Sequence, residues 1–520
     1  MRELTKRVVI VGGGAAGWLT AGILAAKHGK IGSGADVSIT LIESPDVATI
    51  GVGEGTWPTM RETLSTMGVS ESKFITACDV SFKQGSQFIN WRNNCEGDNY
   101  FHPFSIPNRY YDMDLADLWN STGRQTDFAY FAGSQALLCD EGLAPKQKIT
   151  PEFAAVVNYG YHLDAGKFGE FLKQHCTQVL GVEYIQDHVI SVDGERDTNI
   201  IAINTRVNGA IIGDFFIDCT GSNSLLIGGH YSVPLIAKDK VLFNDRALAV
   251  QVPRQIENQA IASCTRSTAQ KYGWIWDIGL PTRQGIGYVY SSRYGTKEEI
   301  YTGLVDYISK SCGVESVDDL NIRELEFTPG VRSEFWVKNC VAVGMSSGFI
   351  EPLEASALAM VELAAKKIRD DFPYTASQME PICRRYNESF HYKWDRVIDF
   401  LKLHYVLSDR RDSEYWLANT ESVKECPRLE ELLDKWKYRS PNKHDFPEVD
   451  EVFPAASYLY ILSGTYFERY SDSHKNEKLR SAAMALVEEN KAQAKKLLNG
   501  LPTNKELLES IAAVGLPKKQ

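Results

Sequence analysis

Val8-Val9-Ile10-Val11-Gly12-Gly13-Gly14-Ala15-Ala16-Gly17 is the stretch of sequence that decides the fold. Its first four residues are all β-branched, which predicts a buried strand from Arg7 to Val11. The remainder fits the pattern G-x-G-x-x-G, which binds the pyrophosphate of a dinucleotide. In this pattern Gly12 permits a tight turn, Gly14 lets the pyrophosphate approach the backbone, and Gly17 allows a helix to pack closely on the strand.

The sequence after the glycine loop completes a βαβ unit. Residues Trp18 to Lys30 have helical character, and a second strand, Val37 to Ile42, ends at Glu43. The N-terminus of the helix would face the phosphates, so Ala15 and Ala16 are also predicted to contact the cofactor. Glu43 is placed to accept hydrogen bonds from a ribose.

Two later strands that end in glycine favour FAD over NAD. Phe216-Ile217-Asp218-Cys219-Thr220-Gly221 is an apolar strand ending in Asp and Gly, as in the second segment of many two-part FAD folds. Cys340-Val341-Ala342-Val343-Gly344 is another short buried strand, and such folds place the ribityl chain near its glycine. Three separate elements of this kind predict a bound FAD.

The remaining patterns predict further elements. A helix is expected from Phe168 to Leu180, and a hairpin of Ile200 to Val207 with Ala210 to Asp218 is expected around Asn208-Gly209. Helices dominate from about Ala355 onward, and the tail from Ser471 to Val514 carries two charged helices separated by Asn499-Gly500-Leu501-Pro502.

The predicted fold class is α/β: a two-part FAD-binding, Rossmann-like fold with an inserted β-sheet, followed by a mainly helical C-terminal part. The predicted domains are residues 1–370, the FAD-binding module with its inserted sheet, and 371–520, a helical region that covers the substrate.

Composition excludes several classes of function. The 520 residues are 43% hydrophobic and carry a net charge of -11 without a basic stripe, which argues against nucleic acid or an anionic membrane as partner. No apolar run is long enough to span a bilayer. The ten cysteines are scattered, with neither a C-x-x-C pair nor metal-ligand spacing, so we expect reduced thiols, no metal site and a cytoplasmic protein.

Several longer segments point to one family. They are Gly51-Val52-Gly53-Glu54, Ser81-Phe82-Lys83, His102-Pro103-Phe104, Trp274-Ile275-Trp276-Asp277-Ile278, Gly348-Phe349-Ile350-Glu351-Pro352-Leu353-Glu354, Asp409 to Asn419, and Leu501-Pro502-Thr503-Asn504. Together with the glycine loop, they resemble the flavin-dependent tryptophan halogenases over nearly the whole chain. The double-tryptophan and Glu-Pro-Leu-Glu segments are specific to these enzymes and separate them from ordinary flavin monooxygenases.

The resemblance implies a mechanism and a set of site residues. Reduced FAD from a separate reductase, with oxygen and chloride or bromide, yields hypohalous acid, which crosses an internal tunnel to Lys83. Lys83 either hydrogen-bonds this oxidant or forms a haloamine, and Glu354 orients the electrophile or accepts the ring proton. The halide would bind the backbone amides of Ser356 and Ala357. The cofactor-binding set is completed by Val189, Gly344, Met345 and Leu358.

The resemblance also implies a substrate pocket. His102 and Phe104 would stack on one face of an indole, and Phe453 would close the other face. Trp274 and Trp276 would keep the substrate away from the flavin and so suppress direct monooxygenation.

The part of the pocket that would hold an amino-acid substrate departs from the family. The tyrosine pair that would hold the substrate's carboxylate is absent near Pro441-Asn442, and Glu448 falls where an ammonium partner would. An indole or a larger indole-containing molecule is therefore predicted over free tryptophan.

Each assignment competes with a structural interpretation. Without the family pattern, Lys83 would be a surface lysine, Glu354 part of an exposed helix start, and Trp274 with Trp276 two core aromatics. His102 and Phe104 would be a packed loop, and a surface acid fits Glu448 equally well. The alternative functions are a free-tryptophan halogenase, a hydroxylating flavin monooxygenase and a non-catalytic binding protein. The oligomeric state stays open, with a homodimer among the options.

Overall fold

A computed structural model describes residues 4–29, 37–46, 53–254, 259–473 and 476–518. Gly51 and Val52, in the Gly-Val-Gly-Glu segment, and Lys30, at the predicted end of the first helix, lie outside these residues. Contacts divide the chain into two compact units, each made of three segments. Unit 1 comprises 1–79, 163–238 and 327–394, and unit 2 comprises 80–162, 239–326 and 395–520.

The strands and helices are numbered here in chain order. The strands are β1 Arg7–Val11, β2 Ser38–Glu43, β3 Gly53–Gly55, β4 Ser81–Lys83, β5 Gly85–Ile89, β6 Asn99–Pro103, β7 Gly160–Asp164, β8 Glu183–Gln186, β9 Val189–Asp193, β10 Ala202–Thr205, β11 Gly209–Ile212, β12 Phe215–Asp218, β13 Leu235–Ala237, β14 Arg246–Pro253, β15 Thr265–Gln270, β16 Gly273–Gly279, β17 Arg283–Tyr290, β18 Arg323–Glu326, β19 Gly330–Arg332, β20 Trp336–Val337, β21 Cys340–Ala342 and β22 Gly348–Phe349. The helices are α1 Ala15–His28, α2 Thr59–Thr66, α3 Glu71–Ala77, α4 Leu115–Ser121, α5 Phe128–Ala132, α6 Gln135–Asp140, α7 Ala165–Gln178, α8 Lys297–Cys312, α9 Ser356–Asp370, α10 Ala376–Val406, α11 Glu414–Glu421, α12 Pro427–Trp436, α13 Ala455–Gly464, α14 Glu477–Gly500 and α15 Asn504–Val514.

Unit 1 is built on a six-stranded sheet in the order β20-β21-β12-β1-β2-β8. β1 lies at its centre, parallel to both β12 and β2, and its four apolar residues are buried. α1 packs against α7 and α9. Because neighbouring parallel strands end at one edge, the segments that follow β1, β2 and β12 come together there. The predicted βαβ unit is confirmed, although α1 begins at Ala15, three residues before the predicted Trp18.

The predicted hairpin forms, but both of its strands are shorter than predicted. β10 ends at Thr205, which pairs with Gly209, and the second strand stops at Ile212. Asp214 then accepts backbone hydrogen bonds from Lys6 and Arg7, both at 2.9 Å, which turns the chain toward β1. The apolar run that looked like one strand is therefore two, and β12 joins the central sheet as the neighbour of β1.

Unit 2 holds the inserted sheet, with seven strands in the order β18-β14-β17-β16-β15-β5-β6. Its neighbours are antiparallel except for β15 and β5. α8 covers β14 and β17, and buries Ile300, Leu304 and Ile308 against Ile286 and Tyr288. A second apolar cluster joins α4, α5 and α6 to α13 and α14.

The helical C-terminal part agrees with the prediction, including the break between α14 and α15 at Leu501 to Thr503. The predicted cut between residues 370 and 371 does not coincide with the division into units, because α10 supplies residues to both. Within the described ranges, no helix is long and apolar enough to cross a membrane. All ten cysteines, which lie in those ranges, are free thiols.

Candidate active site

The glycine loop follows β1, and each of its glycines meets a different environment. Gly12 has a φ of +115°, and a Cβ atom there would lie 2.1 Å from the carbonyl oxygen of Cys219. A Cβ atom at Gly17 would lie 1.9 Å from the carbonyl oxygen of Gly12. At Gly14, by contrast, an added Cβ would meet nothing within 4 Å. Gly12 and Gly17 are thus required by packing, whereas Gly14 leaves an open surface at the start of α1.

A cleft of about 520 Å³ lies within unit 1, in the size range of small-molecule sites. Nine of the ten predicted cofactor residues line it: Gly12, Gly14, Ala15, Ala16, Glu43, Val189, Gly344, Met345 and Leu358. Gly17 does not line it, because it faces the backbone of the loop. The predicted halide residues Ser356 and Ala357 line the same cleft.

Two helix N-termini face this cleft. α1 begins after Gly14, and α9 begins after Ala355, with no side-chain cap and no acidic residue in the first turn of either helix. The first backbone N–H groups of a helix have no partner within the helix, and they carry a partial positive charge. The cleft therefore offers two places suited to an anion.

The segment before α9 is held in an unusual conformation. Ala355 has a φ of +53°, in the left-handed region that disfavours residues with a Cβ atom. Trp57 donates its indole N–H to the carbonyl oxygen of Glu354 at 2.8 Å. Only 3% of Glu354 is exposed, so the alternative of an exposed helix start does not hold for it.

Glu43 is anchored at the edge of the cleft by a residue that the sequence did not reveal. The Lys173 ammonium lies 3.1 Å from its Oε2 atom and donates to the Tyr184 hydroxyl at 2.9 Å. The Glu43 side chain also covers Gly13, where an added Cβ would lie 2.4 Å from it. This arrangement orients the carboxylate beside the glycine loop.

Lys83 ends β4 in unit 2, and only 1% of it is exposed. The alternative of a surface lysine is therefore wrong. Its Nζ atom lies 5.4 Å from the centroid of the Phe104 ring, within the range of a cation–π contact. Because lysine side chains are rarely fully buried, this position makes Lys83 a candidate for a functional role.

Trp274 and Trp276 project from β16, and their ring centroids are 6.3 Å apart in an edge-to-face arrangement. Both are buried, at 1% and 7% exposure. Gly287 on β17 lies opposite Trp276, and a Cβ atom there would approach the indole ring to 2.0 Å. A glycine on the neighbouring strand thus creates the space that Trp276 fills.

The aromatic positions of unit 2 share a neighbour, Phe400 of α10. The centroids of His102 and Phe400 are 5.5 Å apart, and Phe400 stacks on Phe453 at 3.8 Å and 15°. All three rings are buried. Phe400 carried no motif, so the sequence did not identify it; only the fold brings it between two predicted substrate positions.

Comparison with known proteins agrees with these features. The family model for tryptophan halogenases matches residues 7–477. The chain belongs to the tryptophan halogenase family. It is 33% identical to the tryptophan 6-halogenase SttH of Streptomyces toxytricini, over 88% of this chain and 89% of that protein. It is 30% identical to the tryptophan 7-halogenase RebH of Lentzea aerocolonigenes, over 83% of this chain and 82% of that one.

A solved structure extends this relationship. The tryptophan halogenase from Shewanella frigidimarina is 46% identical, covers 100% of both chains and superimposes with a TM-score of 0.94. The chain is accordingly a flavin-dependent halogenase, as the sequence predicted.

In the region of this halogenase that departs from the family pattern, Pro441 is buried and Asn442 is half-buried. Asn442 caps a short 3₁₀ turn by accepting from the His444 amide at 3.0 Å, and Glu448 is exposed. The exposed position favours the surface interpretation of Glu448. Within the described ranges, no group of three or more His, Cys, Asp or Glu residues is arranged to hold a metal ion.

Proposed function

We propose that this halogenase catalyses the FAD-dependent chlorination or bromination of an indole or a related electron-rich aromatic. It would use reduced flavin from a separate reductase, oxygen and halide. The observation that carries the proposal is that one cleft of unit 1 is lined by both the predicted cofactor residues and the predicted halide residues.

The residues of the cleft fit the cofactor. The open surface at Gly14 leaves room for a pyrophosphate beside the N-terminus of α1, and Glu43 is placed for a ribose. The uncapped amides of Ser356 and Ala357 suit a halide ion without help from their side chains. Bound reduced FAD supplies the activation of oxygen that converts halide to hypohalous acid.

In this proposal Lys83 and Glu354 control transfer of the halogen. The Lys83 amine either hydrogen-bonds hypohalous acid or reacts with it, forming an N–halogen bond and releasing water. A carboxylate at Glu354 stabilises the cationic ring intermediate and accepts the ring proton. The burial of Lys83 supports the assignment, because an electrophilic halogen held there is kept from bulk water. Trp274 and Trp276 are proposed to suppress direct oxygenation of the substrate.

The test is to separate flavin oxidation from halogenation. Lys83→Ala should reduce product to near background while reduced flavin is still reoxidised, because it leaves the cleft of unit 1 unchanged. Glu354→Gln should slow halogenation by roughly 100- to 10,000-fold, as expected for a positioned acid–base group. Stopped-flow flavin reoxidation is measured beside mass spectrometry of the product, with the exposed Lys73→Ala as matched control. Wild-type product yield from Lys83→Ala would contradict the assignment.

The substrate proposal rests on the residues around Pro441 and Glu448. Without the tyrosine pair, the carboxylate of free tryptophan would lose solvation near the buried Pro441 without gaining a matched partner. We expect kcat/KM to be higher for indole than for tryptophan. Since the curated relatives are named tryptophan halogenases, tryptophan is the natural competitor, and equal values would favour it.

Two further measurements address the remaining alternatives. A hydroxylated product formed without halide would favour the monooxygenase alternative, whereas the proposal predicts a product that requires bromide or chloride. Only one dinucleotide fingerprint occurs in the sequence, so the protein alone should not oxidise NADH. Rapid NADH consumption without a reductase would remove the need for that partner.

A further inference from the structure

The pairing of β4 with β7 places a histidine beside Lys83. The strands are antiparallel, with Ser81 opposite His162 and Lys83 opposite Gly160. Residues opposite each other in an antiparallel pair point to the same face, and so do residues two apart along one strand. Lys83 and His162 therefore share one face of this strand pair, as diagonal neighbours.

One ring nitrogen of His162 has a partner and the other does not. Nε2 lies 2.8 Å from the Thr265 hydroxyl on β15. Nδ1 is buried and makes no hydrogen bond among the described residues. The whole residue is inaccessible to solvent, at 0% exposure. Leaving a polar atom unpaired in the interior is costly, so such an atom points to a ligand or a bound water.

The protonation state of the His162 ring allows it to hydrogen-bond a small molecule that carries a hydroxyl group. Burial, together with the charge of Lys83, lowers the pKa of His162 well below its usual value, so the ring is neutral near pH 7. With its proton on Nε2, a neutral ring leaves Nδ1 as an acceptor, and in the other tautomer Nδ1 donates. A hydroxyl group can satisfy either arrangement.

We propose that His162 completes the oxidant-binding site at Lys83: Nδ1 hydrogen-bonds the hydroxyl of hypohalous acid while the Lys83 side chain contacts the same molecule. The inference rests on the proposed function. His162 makes and breaks no bond; it fixes the oxygen end of the oxidant, so that the halogen end is directed away from the strand pair and the acid does not escape.

Two substitutions separate the ring nitrogens. In His162→Gln the side-chain amide takes the position of Nε2, so the hydrogen bond with Thr265 is kept. No atom takes the position of Nδ1. In His162→Asn the amide superimposes on Nδ1, and the Thr265 contact is lost. Thr265→Val removes the same contact while keeping the imidazole. If His162 holds the oxidant, Gln is the defective variant, and Asn and Thr265→Val retain function.

The readout is halogenated product per flavin reoxidised, measured with taurine in solution to trap escaped hypohalous acid as a haloamine. His162→Gln should lower product per flavin by roughly tenfold, the effect of one lost hydrogen bond, and raise taurine halogenation. In His162→Asn the product per flavin should stay within about threefold of the wild-type value, a difference smaller than the effect of one hydrogen bond.

Two results would overturn the inference. One is a wild-type ratio in His162→Gln, which would mean that Nδ1 holds a buried water only. The other is a loss confined to His162→Asn and Thr265→Val, which would mean that the ring is structural. If His162→Gln does not fold, the other two variants still decide. A fall in product per flavin in Thr265→Val would contradict the inference, whereas wild-type product per flavin in both Thr265→Val and His162→Asn would support it. Failure of the proposed function is distinct, because wild-type enzyme would then halogenate neither substrate nor taurine.

Discussion

Gly14 and Gly17 lie three residues apart in the glycine motif, and we expect substitutions at the two positions to have different effects. Gly14→Val adds its side chain to open space in the cleft, so the free energy of unfolding of the apoprotein should change little. FAD affinity should fall at least tenfold, because the side chain occupies the path of the pyrophosphate. Fluorescence titration with FAD measures the affinity, and unchanged binding would contradict the assignment of the cleft.

Gly17→Ala is the matched control for that substitution. Its Cβ would collide with the carbonyl oxygen of Gly12, so it should destabilise the apoprotein by about 1–3 kcal/mol. Urea unfolding without flavin separates the two variants.

Ala355 is a residue at which the protein can be made more stable. It adopts a left-handed conformation that costs a residue with a Cβ about 1 kcal/mol relative to glycine. Ala355→Gly should therefore raise the free energy of unfolding by roughly that amount, less the added chain entropy of glycine. Ala357→Gly, within the first turn of α9, should instead lower it. Denaturant unfolding of both variants checks the signs, and a loss of stability in Ala355→Gly would show that the strain is absent.

Among the elements, β16 and β17 fit together because Gly287 on β17 leaves room for the Trp276 ring on β16. Gly287→Ala would push against the Trp276 ring and should cost about 1–3 kcal/mol of unfolding free energy, the usual effect of overpacking. Trp276→Phe frees space, so the double variant should be more stable than the sum of the single effects predicts. A double-mutant cycle measured in urea gives the coupling, and additivity would contradict the packing.

The elements that could be predicted from the sequence are those with a strong local signal. β1 was placed to the residue because four β-branched residues run into a glycine loop, and the break between α14 and α15 was marked by Asn-Gly-Leu-Pro. The end of β11 was missed because apolar residues resume at Phe215, directly after Gly213 and Asp214. There the chain turns because Asp214 binds the backbone of β1, a contact with no local signature.

The site residues divide in the same way. Lys83, Glu354 and the glycines belong to short motifs, so a resemblance could suggest them. Lys173 reaches Glu43 across 130 positions of sequence, and His162 lies beside Lys83 only through the register of two short strands. Such pairings depend on tertiary structure, which periodicity and composition do not encode.

For the whole molecule, a buried histidine predicts how stability depends on pH. His28 is buried against Phe372, and its Nε2 pairs with the Arg369 carbonyl at 2.7 Å. Burial lowers the pKa of His28, the Arg369 carbonyl and Asp370 oppose this effect, and the charges of Lys27 and Arg369 add to it. Below about pH 6.5 the unfolded chain binds a proton that the folded protein does not. The free energy of unfolding should therefore fall as the pH drops.

The matched variants for this effect are His28→Gln and His444→Gln. Glutamine at position 28 keeps a donor for Arg369 and removes the titrating group, so the decline between pH 6.5 and 5 should become shallower, by at most about 1.4 kcal/mol per pH unit. The exposed His444→Gln should leave the slope unchanged. Urea unfolding across this range provides the measurement, and equal slopes for wild type and His28→Gln would contradict the prediction.

Because unit 1 is made of three separate segments, its strands are synthesised at widely separated times during translation. β1 emerges before its neighbour β12, which follows some 200 residues later, and β21 follows later still. At about 5–20 residues per second, β21 is made roughly 15–65 s after β1. Until β12 is made, β1 lacks one of its two neighbouring strands, and chaperones would have to shield its apolar residues Val8 to Val11. A fragment ending at residue 370 would still lack the last stretch of unit 1.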